Sequence, residues 1–288
     1  MKTLNAGITA PIPFAPSMRL KKKSTVKSAP IVDPYGLDRN PAYLLTIDGN
    51  PKVMKGEKLG YYTAILHLAP HKLSGFNVCA SATAGCIASC LNTAGRGGIG
   101  IDANGFNAIQ VARIRRTRLF KRDTAKFMDT LKKEIDLHIK RSIRKGFIPV
   151  FRLNGTSDLP WERLKFHGLP NVFAAYPEIQ FYDYTKIPVS KRDLTIPNYH
   201  LTFSLAESNR RHAIDALNAG LNVAAVVRVP KGQPMCSPLN VGGFRSVIDG
   251  DETDVRFSDR AGRIIGLRAK GRAKKDTTGF VLDIPTRA

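Results

Sequence analysis

The run Tyr61-Tyr62-Thr63-Ala64-Ile65-Leu66-His67-Leu68-Ala69 is followed closely by Cys79, Cys86 and Cys90, then by Gly95-Arg96-Gly97-Gly98. It decides how the rest of the chain reads. Aromatic and β-branched residues make it a predicted strand. Five more strand-like runs follow, at 147–154, 179–185, 200–205, 223–229 and 264–267. Between the first two, 106–121 and 124–145 carry apolar residues at helical spacing with basic outer faces. Ser208 has the chemistry of an N-cap for a helix ending at Ala219, with Gly220 as its stop. Strands alternating with helices predict an α/β fold. The expected form is a parallel β/α barrel or an incomplete barrel, with a Cys-bound metal loop after the first strand. The chain shows no internal repeat or heptad.

Composition narrows the partners. Lys plus Arg number 45 against 23 for Asp plus Glu, a net charge of +22 in 288 residues. That excess exceeds what surface solubility needs and points to a polyanion. Apolar content is 43%, enough for a sizeable core. Residues 1–40, rich in Pro, Lys and Ser, read as a flexible basic arm, and 41–288 as a single β/α catalytic domain. No apolar run approaches a membrane span, and the first eighteen residues, broken by prolines, do not read as a signal peptide. The expectation is a cytoplasmic protein with no membrane partner.

Three of the four cysteines lie between positions 79 and 90. Thiolates clustered beside a glycine-rich turn can converge on one metal ion or cluster. Cys79, Cys86 and Cys90 are therefore the expected ligands, of Zn2+ or alternatively of an iron–sulfur cluster. Three buried cysteines acting as small hydrophobes are the bland reading. Cys236, His67 and His71 are rival fourth ligands. The spacing lacks the x3, x2 pattern of radical S-adenosylmethionine enzymes.

Parallel β/α folds collect their sites at the C-terminal ends of the strands. Those ends read Arg152-Leu153-Asn154-Gly155-Thr156-Ser157-Asp158, Tyr182-Asp183-Tyr184-Thr185-Lys186 and Phe203-Ser204-Leu205-Ala206-Glu207. Asp158 and Asp183 are candidate catalytic carboxylates, Asp183 to attack the sugar or stabilise a cation and Asp158 to move a proton or recognise the base. An N-cap before Pro160-Trp161-Glu162 explains Asp158 as well, and pairing with Lys186 or an arginine explains Asp183. Asn154, Ser204, Glu207 and Asp251 are candidate substrate-binding groups. Glu207 also suits a helix start electrostatically, and Asp251 lies in an acidic island, 249–254, that reads equally as a solvated turn. Arg113, Arg115, Arg116 and Arg118, with Lys121, Arg122 and Lys270, have few acids nearby to pair with, so phosphate contact is their expected use. Gly95-Arg96-Gly97-Gly98 lacks the Lys-Ser/Thr of a P-loop, so nucleotide hydrolysis is not expected.

A family resemblance lies in Leu68-Ala69-Pro70, Ser74-Gly75-Phe76-Asn77-Val78-Cys79, Cys86-Ile87-Ala88-Ser89-Cys90-Leu91-Asn92-Thr93-Ala94-Gly95, the 152–158 segment, Phe181-Tyr182-Asp183-Tyr184-Thr185-Lys186 and Gly266-Leu267-Arg268-Ala269-Lys270-Gly271. Over roughly residues 60–272 the chain resembles phage deazaguanine DNA transglycosylases, distant relatives of the zinc-containing tRNA-guanine transglycosylase barrels. The resemblance implies exchange of guanine in double-stranded DNA for a free 7-deazaguanine base, through a covalent sugar–carboxylate intermediate. It further implies protection of phage DNA from restriction, in the host cytoplasm, with a structural metal. The zinc cysteines of the tRNA enzymes lie late in the chain, whereas these lie early. Phe181, Tyr182, Tyr184 or Phe203 is expected to stack on an extruded base, core packing being the alternative. Two other classes stay open: a radical-type iron–sulfur enzyme, and a non-catalytic zinc protein that binds nucleic acid.

Overall fold

The structure, a computed structural model, describes residues 33–47, 51–235 and 238–283. Most of the expected basic arm and Cys236 lie outside the described residues. The elements run β1 (Leu45–Ile47), α1 (Pro51–Glu57), β2 (Tyr61–Leu66), α2 (Ala84–Ala88), α3 (Ala108–Arg122), α4 (Thr124–Arg144), β3 (Ile148–Arg152), α5 (Val172–Ala175), β4 (Gln180–Thr185), β5 (Tyr199–Ser204), α6 (Arg210–Asn218), β6 (Asn222–Val227), β7 (Leu239–Asn240), β8 (Phe244–Arg245), β9 (Val247–Asp249), β10 (Ile264–Arg268) and β11 (Val281–Leu282). All but β7 and β8 belong to one nine-stranded sheet of order β1-β2-β3-β4-β5-β6-β10-β9, with β11 added beside β6. Only β1 is antiparallel, to β2; every other pairing in that sheet is parallel.

The expected α/β class and parallel sheet are thus present. Strand pairing ends at β1 on one side and at β9 on the other, so no ladder among the described residues closes a barrel. The six expected strands are β2 to β6 and β10. The expected helix after Ser208 is α6, with Asn209 at its cap position. The short strands β1, β9 and β11 were not foreseen.

Local chemistry explains the long helices. Asn107 caps α3 by accepting from the Gln110 N–H, and Asp123 caps α4 by accepting from the Lys126 N–H. Gly146, at φ +74°, ends α4 and lets the chain turn into β3. The face of α4 carrying Phe127, Met128, Leu131 and Ile135 packs over Phe151 of β3 and Phe181 of β4. The same side of the sheet continues through Phe203, Val223 and Ile264 under α6. Burying each such side chain stabilises the fold by about 1.5–3 kcal/mol.

The opposite side is more polar. Register places Tyr182 beside His200 and Tyr184 beside Thr202. The 250–259 segment folds across this side. Asp254 accepts from Arg152 at 3.0 Å and lies 3.4 Å from the Tyr182 hydroxyl. Phe257 packs edge-on against Tyr61 and Tyr182. No helix among the described residues is long and apolar enough to cross a membrane.

Candidate functional site

At the C-terminal end of β2 the chain enters a long excursion, residues 67–107, that bends back over the strand ends. Three sets of contacts fix it there. Glu207, just after β5, accepts from Thr83 Oγ at 2.8 Å and from the Gly85 N–H at 2.7 Å, holding the start of α2. Asn92 is clasped by α3, accepting from Gln110 Nε2 at 2.8 Å and Arg113 Nη1 at 2.5 Å. Asp276 accepts weakly from Ser89 Oγ and also from Thr278 Oγ and the Val281 N–H. The excursion is therefore a roof, and it carries all three clustered cysteines.

The three cysteines are free thiols, each partly buried. Burial pushes the Cys79 thiol up to about 12, and the nearby charges of Asp158, Cys90 and Cys86 push the same way. Cys79 Sγ accepts from the His71 N–H at 3.4 Å. Burial also raises Cys90, while Arg113 and Lys186 pull it down. So the structure gathers the three thiols within electrostatic reach of one another. They do not close on one point: among the described residues no group of three His, Cys, Asp or Glu side chains is arranged to hold a metal ion. The donor set itself, soft thiols gathered on one segment, suits a thiophilic metal.

Asp158 lies beneath the roof. One carboxylate oxygen accepts from Thr185 Oγ and the other from the Lys186 N–H, both at 2.8 Å. Its own N–H donates to the Val78 carbonyl, which ties it to the cysteine-bearing segment. Its side chain keeps 12% exposure, and burial raises its pKa. Lys186, expected as a partner for Asp183, instead donates from Nζ to Ser204 Oγ at 2.7 Å and lies over the Phe280 ring. The Lys186–Ser204 pair bridges β4 and β5 beside Asp158. Sequence reading named Ser204 but missed the pairing, because contacts between neighbouring strands leave no spacing signal.

Asp183 is placed differently. It is 1% exposed. Its oxygens accept from the Asn154 N–H at 2.7 Å, from Asn154 Nδ2 at 3.3 Å and from the Tyr199 hydroxyl at 3.0 Å. Burial pushes its carboxyl up to about 7, against the pull of Arg152 and of those bonds. Arg192 joins the two aspartates indirectly. It lies 3.7 Å from Asp158, forms a 2.7 Å ion pair with the buried Glu162, and donates to both Thr185 and Tyr199. Asp158 and Asp183 thus share one polar network, but only Asp158 keeps side-chain exposure, 12%. Asn154 turns its side chain to Asp183, Leu159 and Ser157, fixing the 154–158 loop.

His67, where the roof begins, lies beside Arg113 and Arg152. Burial and those guanidiniums hold it well below the usual imidazole range, so it is neutral. Its Nδ1 is buried without a hydrogen-bond partner among the described residues.

The other candidates have internal partners. Asp251 accepts from Lys270 Nζ at 2.8 Å and from the Arg268 N–H, while Asp249 takes Arg268 Nη1. The arginines of α3 are turned to the chain's own carbonyls. Arg115 donates to Tyr35 and Gly36, Arg116 to Tyr43 and His67, Arg118 to Ser74, and Arg113 to Asn92. Their density reflects the anchoring of segments 35–43 and 67–92. Of the rings expected to stack on a base, Phe181, Tyr182 and Phe203 are wholly buried, and the Tyr184 hydroxyl is buried as well.

No curated protein and no solved structure matches the chain. A family model does: the one described as gene product 88 matches residues 44–284. That span begins at the edge of β1 and runs through β11, so it takes in the whole sheet, the thiol-bearing roof and Asp158; the chain belongs to the gene product 88 family, a family of phage proteins.

Proposed function

We propose that this chain is a DNA base-modifying transferase that exchanges guanine in DNA for a 7-deazaguanine base. The observation that carries the reading is Asp158, a carboxylate presented at the strand ends beneath a cysteine-bearing roof in a protein of charge +22. Attack of an Asp158 oxygen on C1′ of the target deoxyribose forms a sugar–carboxylate ester as the C1′–N9 bond of guanine breaks, its electron pair passing to N9, which takes a proton from solvent. The nitrogen of the incoming base then attacks C1′ and releases Asp158, while its proton passes to solvent. Both steps have cationic character at the sugar, which a carboxylate stabilises. Lys186 and Ser204 stand beside Asp158 to orient the leaving or entering base. Neutral His67 offers it a further hydrogen bond. Asp183 acts indirectly, by holding Asn154 and hence the loop that ends at Asp158.

A metal at Cys79, Cys86 and Cys90 would pin the roof. With zinc, its contribution is structural. Replacing any of the three with Ser is expected to lower bound metal, read by elemental analysis, and to lower the melting temperature, because metal binding is coupled to folding. Full metal retention in all three variants would remove them as ligands.

The primary test is nucleoside mass spectrometry of DNA from cells that express the chain and are supplied with 7-deazaguanine bases. A deazaguanine nucleoside is expected with the parental chain. Its absence despite soluble protein overturns the reading. One feature favours a second reading, an iron–sulfur enzyme: the thiols follow directly on the first parallel strand and overhang the strand ends. That reading expects visible absorbance after anaerobic reconstitution with iron and sulfide, and a requirement for S-adenosylmethionine.

A further inference from the structure

At one edge of the roof, its 73–77 loop and the C-terminal half of α3 form a groove of about 530 Å3. Its lining includes Phe76, Arg118, Lys121 and Arg122, and its one acid, Asp38, is already engaged by Arg118 at 3.1 Å and Arg122 at 3.8 Å. Three cations therefore face one carboxylate. The Phe76 ring is 44% exposed, whereas Phe181, Tyr182 and Phe203 are sealed in the core. Gly75, at φ +91°, has nothing within 4 Å of where a Cβ would stand, so the loop is uncovered at that point. The loop is held in place, since Arg118 Nε donates to the Ser74 carbonyl and Phe76 N–H to Ser74 Oγ.

The 73–77 loop leads along the chain into the site. Phe76 precedes Val78 by two residues, a chain distance of at most about 7 Å, and the Val78 carbonyl takes the Asp158 N–H at 2.8 Å. An anchored aromatic ring among cations that outnumber their acid matches one ligand chemistry: an unpaired nucleic-acid strand, whose bases stack while its phosphates are neutralised. In a duplex the base faces are covered by their neighbours, so such a ring finds a partner only where a strand has opened.

We propose that this groove holds the unpaired DNA next to the extruded nucleotide, with Phe76 stacked on a base and Lys121 on a phosphate. The proposal rests on the DNA-modifying reading for its choice of DNA, but its test does not need base exchange. The probe is a single-stranded DNA oligonucleotide carrying 2-aminopurine, titrated with the full chain and followed by anisotropy and by quenching of the analogue. Parental protein is expected to bind and quench. Phe76→Ala should bind about 10-fold more weakly and lose the quenching, with an unchanged melting temperature because the ring is exposed. Phe76→Tyr should restore both signals. Lys121→Ala should flatten the salt dependence by about one phosphate contact. Parental affinity and quenching in Phe76→Ala overturn the groove, even if the chain exchanges bases. Loss of quenching in Phe76→Ala, in a chain that exchanges no base, supports the groove and removes the enzymatic reading instead.

Discussion

Asp158→Asn is expected to abolish base exchange while leaving a folded, DNA-binding protein. If the carboxylate is the group that bonds to C1′, an amide cannot replace it. The rate should fall by three orders of magnitude or more, about 4 kcal/mol of barrier at about 1.4 kcal/mol per decade. The fold should tolerate the change. The amide oxygen still accepts from the Lys186 N–H, the backbone donor of the two that reach Asp158. The amide nitrogen then faces Thr185 Oγ, which already receives Ile187 N–H and Arg192 Nη1. That mismatch costs on the order of 1–3 kcal/mol, a lowered melting temperature but not unfolding. The measurement is incorporation of labelled deazaguanine into DNA, with denaturing gels to trap a protein–DNA ester. Parental incorporation by the variant would move the chemistry away from Asp158, and the 249–251 carboxylates at the end of β9 would be the next to test. Lys186→Met separates orientation from attack: slowed exchange with the trapped ester still visible assigns Lys186 to positioning the base.

Much of this arrangement was legible in the sequence. Apolar periodicity and capping chemistry placed α3, α4 and the six principal strands, because their burial patterns repeat over several turns or pleats. The cysteine-bearing segment was legible as a thiol cluster after the first parallel strand, and its placement over the strand ends follows from a parallel sheet. What the sequence did not carry is pairing. Arg115 and Arg116 look identical to phosphate-binding arginines until the backbone carbonyls of 35–43 are seen at their guanidiniums. Lys270 and Asp251, assigned to DNA and substrate, bind each other across nineteen residues. Phe76 went unnoticed because a single ring in a glycine-flanked loop has no periodicity, whereas Phe181 and Tyr182 attracted attention through their strand and proved to be core. Asp158 and Asp183 looked equivalent, one near the end of each adjacent strand. Burial separates them: Asp183 is 1% exposed, whereas the Asp158 side chain keeps 12%.

Asp183 should make the protein less stable as pH rises from about 4 to about 7. Its folded carboxyl is pushed up to about 7 by burial, from an ordinary value of 3.8. Between those values the folded state holds a proton that the unfolded state has released. Folding is then favoured at the acid end, and the advantage is lost as pH climbs through the folded pKa. Across that window the one group accounts for on the order of 4 kcal/mol. Asp183→Asn keeps the acceptor for the Asn154 N–H and cannot ionise. The variant is therefore expected to lack this pH dependence, and to gain on the parent at pH 8 relative to pH 5. Urea unfolding midpoints of both proteins at pH 5, 6.5 and 8 measure it, and identical slopes in the two would remove Asp183 as the cause. The functional corollary is directional. Because Asp183 holds Asn154 rather than a ligand, Asp183→Asn should shift the pH profile of exchange through the 154–158 loop yet retain the trapped ester that Asp158→Asn loses. A variant at Asp183 that binds DNA normally but forms no ester at any pH would place this buried carboxylate in the chemistry itself.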